Sequence, residues 1–222
     1  MAVYVNPILL DKLFLPVDSI EKKNIYIDKK KLQIDRESLY SITLPQTSHD
    51  IVQIIINHIS KKKINHQNCS IIDATAGVGG DTISFSFNFK IVYSIEINTN
   101  RYSFLLNNLK IYNIKNVITY NNSCLNLFND IISDIVFIDP PWGGRSYKYF
   151  KNIKLCLDNK PIEQICLDLL SKQIPPKFII IKLPNNYCFD NFYIHNINIY
   201  KYSLHKMIII VVDYDENIHH NK

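Results

Sequence analysis

Five glycines serve a chain of 222 residues, and all five fall in two short segments. Gly77, Gly79 and Gly80 lie within Asp73-Ala74-Thr75-Ala76-Gly77-Val78-Gly79-Gly80-Asp81-Thr82. Gly143 and Gly144 end Asp139-Pro140-Pro141-Trp142-Gly143-Gly144, beside the single tryptophan. Glycine is needed where backbone takes positive φ or passes close to a ligand, so a chain this sparing of it marks two places. The first segment suits a tight strand-to-helix turn whose amides face a ligand carboxylate or ribose. A G-x-G-x-x-G dinucleotide turn needs a small residue at position 82, where Thr82 stands, which weighs against a nicotinamide cofactor. The next apolar run ends in an acid, Glu96, and a carboxylate there can accept both hydroxyls of an adenosine ribose.

The second segment suits an exocyclic amine. Such a nitrogen is a poor nucleophile because its lone pair is delocalised. The Asp139 side chain and the Pro140 carbonyl can each accept one N–H, holding the amine in line and favouring a pyramidal nitrogen. The prolines fix φ and offer carbonyls without competing N–H groups. Trp142 offers a face on which a ring can stack.

Elements that alternate along the chain must position both segments. Apolar runs predict strands over 70–74, 91–96, 117–120, 134–139 and 178–183, with a closing hairpin over 193–204 and 206–213. Helices are predicted from Ser48, as a cap, with Ile51, Ile54, Ile55 and His58 on one face, and over 81–89, 99–112 and 161–171. Leu105, Leu106 and Leu109 share a side of the third of these. Alternating strands and helices imply an α/β fold with a mostly parallel sheet covered on both faces. Ligands of such sheets sit beyond the carboxyl ends of the strands, where both glycine segments fall.

Composition allows a globular protein with a full core. The longest apolar run, 207–212, is strand-sized, so no membrane span is expected, and no signal peptide is read at the N-terminus. The cysteines (Cys69, Cys124, Cys156, Cys166, Cys188) form no C-x-x-C pair, which argues against zinc or redox chemistry. An intracellular protein, nuclear or cytoplasmic, with reduced thiols is expected. The net charge of +5, with lysine triplets at 29–31 and 61–63, permits a nucleic-acid partner without demanding one. Heavy use of Asn, Ile and Lys reads as AT-rich coding and carries no mechanism.

The first segment resembles motif I of methyltransferases that bind S-adenosyl-L-methionine. The second resembles the (Asp/Asn/Ser)-Pro-Pro-aromatic motif of amino-group methyltransferases. Trp followed by two glycines is narrower and resembles the trimethylguanosine synthase family, the RNA cap guanine-N2 methyltransferases. Residues 32–43 (Leu-Gln-Ile-Asp-Arg-Glu-Ser-Leu-Tyr-Ser-Ile-Thr) resemble that family's segment before the first long helix.

The resemblance implies a Rossmann-like class I fold with a seven-stranded sheet. A small helical N-terminal extension over 1–47, a methyltransferase domain over 48–216 and a disordered tail over 217–222 complete the expectation. It implies cofactor contacts from Asp73, Ala74, Gly77, Gly79, Asp81, Thr82, Glu96, Ser123 and Asp139. Asp139, Pro140 and Trp142 are the implied catalytic residues. Trp142, Arg145, Tyr147 and Asn185 are implied contacts to a 7-methylguanosine cap, on a monomer without metal. Relatives commonly have an acid where Asn121-Asn122-Ser123 stands, and Arg where Asn185 follows Leu183-Pro184; Arg145 or Lys182 would supply that charge. The two motifs alone also admit another amine acceptor (adenine N6, RNA guanine N2 or protein glutamine), and the altered 121–123 stretch admits a cap binder without catalysis.

Overall fold

Strands form where the apolar runs are buried. The computed structural model of the chain describes residues 7–15, 27–190, 192 and 197–214. The tail expected at 217–222, and residues 193–196 of the expected hairpin, lie outside these. Seven strands make one sheet: β1 (Ser70–Asp73), β2 (Ile91–Ile95), β3 (Val117–Tyr120), β4 (Ile135–Ile138), β7 (Phe178–Pro184), β8 (Asn198–Leu204) and β9 (Met207–Asp213). Their order is β3-β2-β1-β4-β7-β9-β8. The pairs β1–β2, β2–β3 and β4–β7 are parallel, whereas β9 runs antiparallel to both β7 and β8. The sheet is therefore mixed, with the class I methyltransferase order. Every residue of β4 and β7 is buried, as strands covered on both faces require. β8 is an edge strand with alternating exposure. A separate two-stranded ribbon, β5 (Cys156–Leu157) and β6 (Lys160–Pro161), turns through Asp158 and Asn159, both at positive φ.

The helices are α1 (Pro7–Leu13), α2 (Ser38–Ser41), α3 (Pro45–Ser60), α4 (Gly80–Asn88), α5 (Thr99–Ile111), α6 (Cys124–Leu127) and α7 (Ile162–Leu170). Ser48 does not cap α3. That helix starts at Pro45, whose fixed φ and missing N–H suit a first position, and Ser48 is buried inside its first turns. Leu106 also departs from expectation: Leu105 and Leu109 are buried, while Leu106 is 43% exposed. Among the described residues no helix is long and apolar enough to cross a membrane.

The chain falls into two compact units, residues 1–124 and 125–222. In the first, the 32–43 segment is tied to α5 by side chains rather than by secondary structure. Asn108, fully buried on α5, accepts from the Gln33 amide (2.8 Å) and donates to the carbonyls of Gln33 and Val78 (both 2.9 Å). One amide side chain thus joins the N-terminal segment to the glycine-rich turn. Arg101 adds ion pairs to Asp35 (2.9 Å) and Glu37. Phe14, Ile34, Val78, Leu105 and Tyr112 pack in the same core cluster.

Burial alone would raise the Asp35 carboxyl. Hydrogen bonds from Ser38 and Arg101 outweigh it and hold Asp35 below its ordinary range. A depressed carboxyl stabilises the fold above its unfolded value of about 4 and loses that contribution as pH falls through the folded value. Asp35→Asn is therefore expected to cost about 1–2 kcal/mol at pH 7. In urea melts the gap to the native chain should narrow below about pH 4; a gap independent of pH would rule out the ionic contribution.

Candidate active site

The first unit builds a turn between β1 and α4. Gly77 has φ +57° and Gly79 φ +102°, conformations that side chains rarely adopt. The turn closes by the Gly79 amide donating to the Ala76 carbonyl, and the Ala76 amide donates to Ile95 at the end of β2. Glu96, immediately after β2, is buried and accepts two backbone amides: Gly77 N at 2.8 Å on Oε2 and Asn98 N at 2.7 Å on Oε1. The Gly77 amide, expected to face a ligand, thus holds Glu96 instead. Asn98 caps α5, accepting from the amides of Asn100 and Arg101.

Beneath the turn, Asp73 accepts from the Thr82 hydroxyl at 2.5 Å, and that hydroxyl also meets Ser94 Oγ at 2.8 Å. Asp73 and Thr82 are almost wholly buried, so this pair braces β1 against α4. Asp81, in the first turn of α4, accepts from the Thr43 hydroxyl at 2.5 Å through Oδ2. Its other oxygen is buried with no hydrogen-bond partner among the described residues. A Cβ at Gly80 would stand 2.8 Å from Ile42, so the same 42–43 segment packs directly on the start of α4. Ala74 is buried in the turn, and Ser123 is half-buried, its amide bonded to the Asn122 side chain. Asn121 donates to the Glu96 and Ile97 carbonyls.

The second unit builds the segment after β4. Asp139 is half-buried, and its Oδ2 accepts from Lys182 Nζ at 2.7 Å. The Lys182 side chain is only 5% exposed, so it is the counter-ion of Asp139 and not a free cation for a triphosphate. Its Nζ also lies 5.8 Å from the centre of the Trp142 ring. Trp142 is half-buried and meets the Tyr147 ring edge-to-face at 5.1 Å; its indole Nε1 is buried without a partner among the described residues. Pro140 is buried beside Asp139. From Gly144 to Tyr149 the chain makes a 3-10 helix, which puts Arg145 on the exposed surface. Asn185 is exposed and donates weakly to the His205 carbonyl at 3.4 Å.

Lys182 was legible as an anomaly: a lysine inside Phe-Ile-Ile-Ile-Lys-Leu-Pro, a run otherwise apolar, must find a partner when buried. Asn186, which donates to the carbonyls of Tyr147 and Phe150 at 2.8 Å each, gave no such signal. Among the described residues no group of three or more His, Cys, Asp or Glu could hold a metal ion.

The two turn glycines are not equivalent. A methyl at Gly77 meets open space, whereas one at Gly79 meets Leu105 at 3.0 Å. Gly77→Ala is expected to cost about 1–2 kcal/mol, and Gly79→Ala about 2–3 kcal/mol with visible core disruption. Chemical denaturation of both variants checks the ranking, and equal losses would refute it.

The family model described as RNA cap guanine-N2 methyltransferase matches residues 68–220. Uncharacterized protein L320 of Acanthamoeba polyphaga mimivirus is 39% identical over 203 residues, covering 82% of this chain and 79% of its own. Trimethylguanosine synthase of Schizosaccharomyces pombe is 32% identical over 121 residues, covering 51% of this chain and 47% of its own. The chain therefore matches about half the length of that yeast relative. Among solved structures, the precorrin-6y C5,15-methyltransferase of Geobacter metallireducens superposes with a TM-score of 0.52 at 15% identity, covering 86% of this chain and 97% of its own. The yhhF protein of Escherichia coli, described as a methyltransferase, gives 0.54 at 13%, covering 75% and 88%. These two establish the fold alone. With its glycine turn, its Asp-Pro-Pro-Trp segment and this match over most of its length, the chain belongs to the RNA cap guanine-N2 methyltransferase family, which is S-adenosylmethionine-dependent.

Proposed function

We propose that this protein transfers a methyl group from S-adenosylmethionine to the exocyclic N2 of 7-methylguanosine in an RNA 5′ cap. The observation that carries the reading is the Asp139–Lys182 ion pair beside a half-buried Trp142. It gives an amine an anionic acceptor next to an aromatic platform.

The first unit fits the cofactor. The open space at Gly77 lets a ligand approach the backbone, and Glu96 is anchored by two amides where ribose hydroxyls would be accepted. The buried oxygen of Asp81, without a partner among the described residues, suits an ammonium donor. When bound, S-adenosylmethionine supplies an electrophilic methyl with its own leaving group, so the chemistry calls for no metal.

On the acceptor side, Asp139 and the Pro140 carbonyl would each take one N–H of the base amine, directing its lone pair toward the methyl. Asp139 would also receive the proton that the methylated nitrogen must lose. Trp142 would stack on the base. A 7-methylated guanine is cationic, so the indole adds about 0.5–2 kcal/mol over the neutral base. Tyr147 fixes the indole from its edge, and exposed Arg145 would face the triphosphate.

Mass spectrometry of 7-methyl-GTP incubated with protein and S-adenosylmethionine, beside plain GTP, tests the reading. A gain of one or two methyls on the 7-methylated compound alone is expected, and equal methylation of both would sink it. Trp142→Ala should abolish that gain while S-adenosylmethionine still binds in calorimetry. Lys182→Met leaves Asp139 without its counter-ion, which disfavours the carboxylate. kcat should fall roughly ten-fold or more with little change in the KM for 7-methyl-GTP. An unchanged kcat in a folded variant would reduce Lys182 to a packing role.

A further inference from the structure

Directly beyond the Trp-Gly-Gly segment the surface changes character. Tyr149 is 88% exposed and Phe150 59% exposed, adjacent rings on the outside of the second unit. They are flanked by exposed Lys148 and Lys151, with exposed Arg145 one turn earlier. From Pro140 to Leu157 the sequence contains no carboxylate, so this stretch of chain is itself net positive. Lys154, the next lysine, is engaged with Glu163 at 2.7 Å and does not belong to the set.

The rings are not exposed through slackness. Asn186 donates to the Tyr147 and Phe150 carbonyls at 2.8 Å each, bracketing the exposed pair from both sides. The Phe150 amide closes on the Tyr147 carbonyl, and Ser146 Oγ donates to the Gly143 carbonyl at 2.9 Å. The Ile153 amide returns to the Asn186 carbonyl, so the clamp is itself anchored. A loop held this firmly presents two aromatic faces at little ordering cost on binding. Solvated rings interleaved with cations are the surface that single-stranded nucleic acid selects, bases stacking on rings and phosphates meeting lysines.

We propose that Tyr149, Phe150, Lys148 and Lys151 form a landing strip for the single-stranded RNA that follows the cap, holding its first nucleotides independently of sequence. The inference extends the cap reading above, since the strip continues the chain segment that carries Trp142. It makes the preferred substrate a capped RNA chain rather than the free cap nucleotide.

Fluorescence anisotropy on the whole protein tests it, with a 7-methylguanosine-capped 10-mer RNA, the same RNA uncapped, and 7-methyl-GTP as competitor. The Tyr149→Ala/Phe150→Ala variant should bind the capped 10-mer at least ten-fold more weakly and 7-methyl-GTP as well as the native chain does, which also certifies its fold. Lys148→Ala/Lys151→Ala should flatten the dependence of log K on log salt for the 10-mer by about 1.4, two single-strand phosphates. Equal weakening toward 7-methyl-GTP and 10-mer would overturn the proposal by making the strip part of the cap pocket. Undiminished 10-mer binding in both variants would overturn it in favour of a protein partner. Failure of the native protein to bind or methylate 7-methyl-GTP would strike at the cap reading instead, and the uncapped 10-mer would still decide the strip.

Discussion

A single buried carboxylate organises the first unit. Glu96 ends β2 and gathers one amide from the glycine turn and one from the entrance of α5, while its own backbone bonds to Tyr120 and Asn121. Three separate stretches of chain converge on it: the turn after β1, the cap of α5 and the end of β3. A buried ion is costly unless fully hydrogen-bonded, and these amides are what make it tolerable. The same constraint explains why the turn needs glycine at 77: the backbone must fold back far enough to aim that amide at the acid.

A second charge is managed differently in the other unit. Asp139 leans on Lys182, a full ion pair set among apolar strands. Such pairs rarely add net stability, because desolvation offsets most of the attraction. The pair at the end of β4 is better understood through the chemistry it permits. An anion is kept beside an aromatic ring without a net charge being left inside the sheet.

Much of this architecture was legible from residue patterns. Strands such as β4 follow uninterrupted apolar runs (Ile135–Ile138), and the alternation of strands with helices suffices for the fold class. Both glycine segments do fall at turns with positive φ, at Gly77, Gly79, Gly143 and Gly144, and this chain uses glycine nowhere else. What escaped is structure fixed by side chains. Ser48 looks like a cap, but Pro45 starts the helix earlier. The Asp158–Asn159 turn of the ribbon is a polar dipeptide of the kind that tolerates positive φ, a readable signal. The buried Asn108, which joins the Gln33 backbone to the Val78 carbonyl, spans 75 residues, and no local periodicity encodes a contact so distant.

The Asp139–Lys182 pair couples two distant positions of the chain. Replacing either partner alone leaves the other as a poorly solvated ion, at a cost of about 3–5 kcal/mol, a large part of a typical domain's stability. The two positions, 43 residues apart in sequence, therefore act as one electrostatic unit: a neutral residue at 139 is tolerated only where the charge at 182 is removed with it.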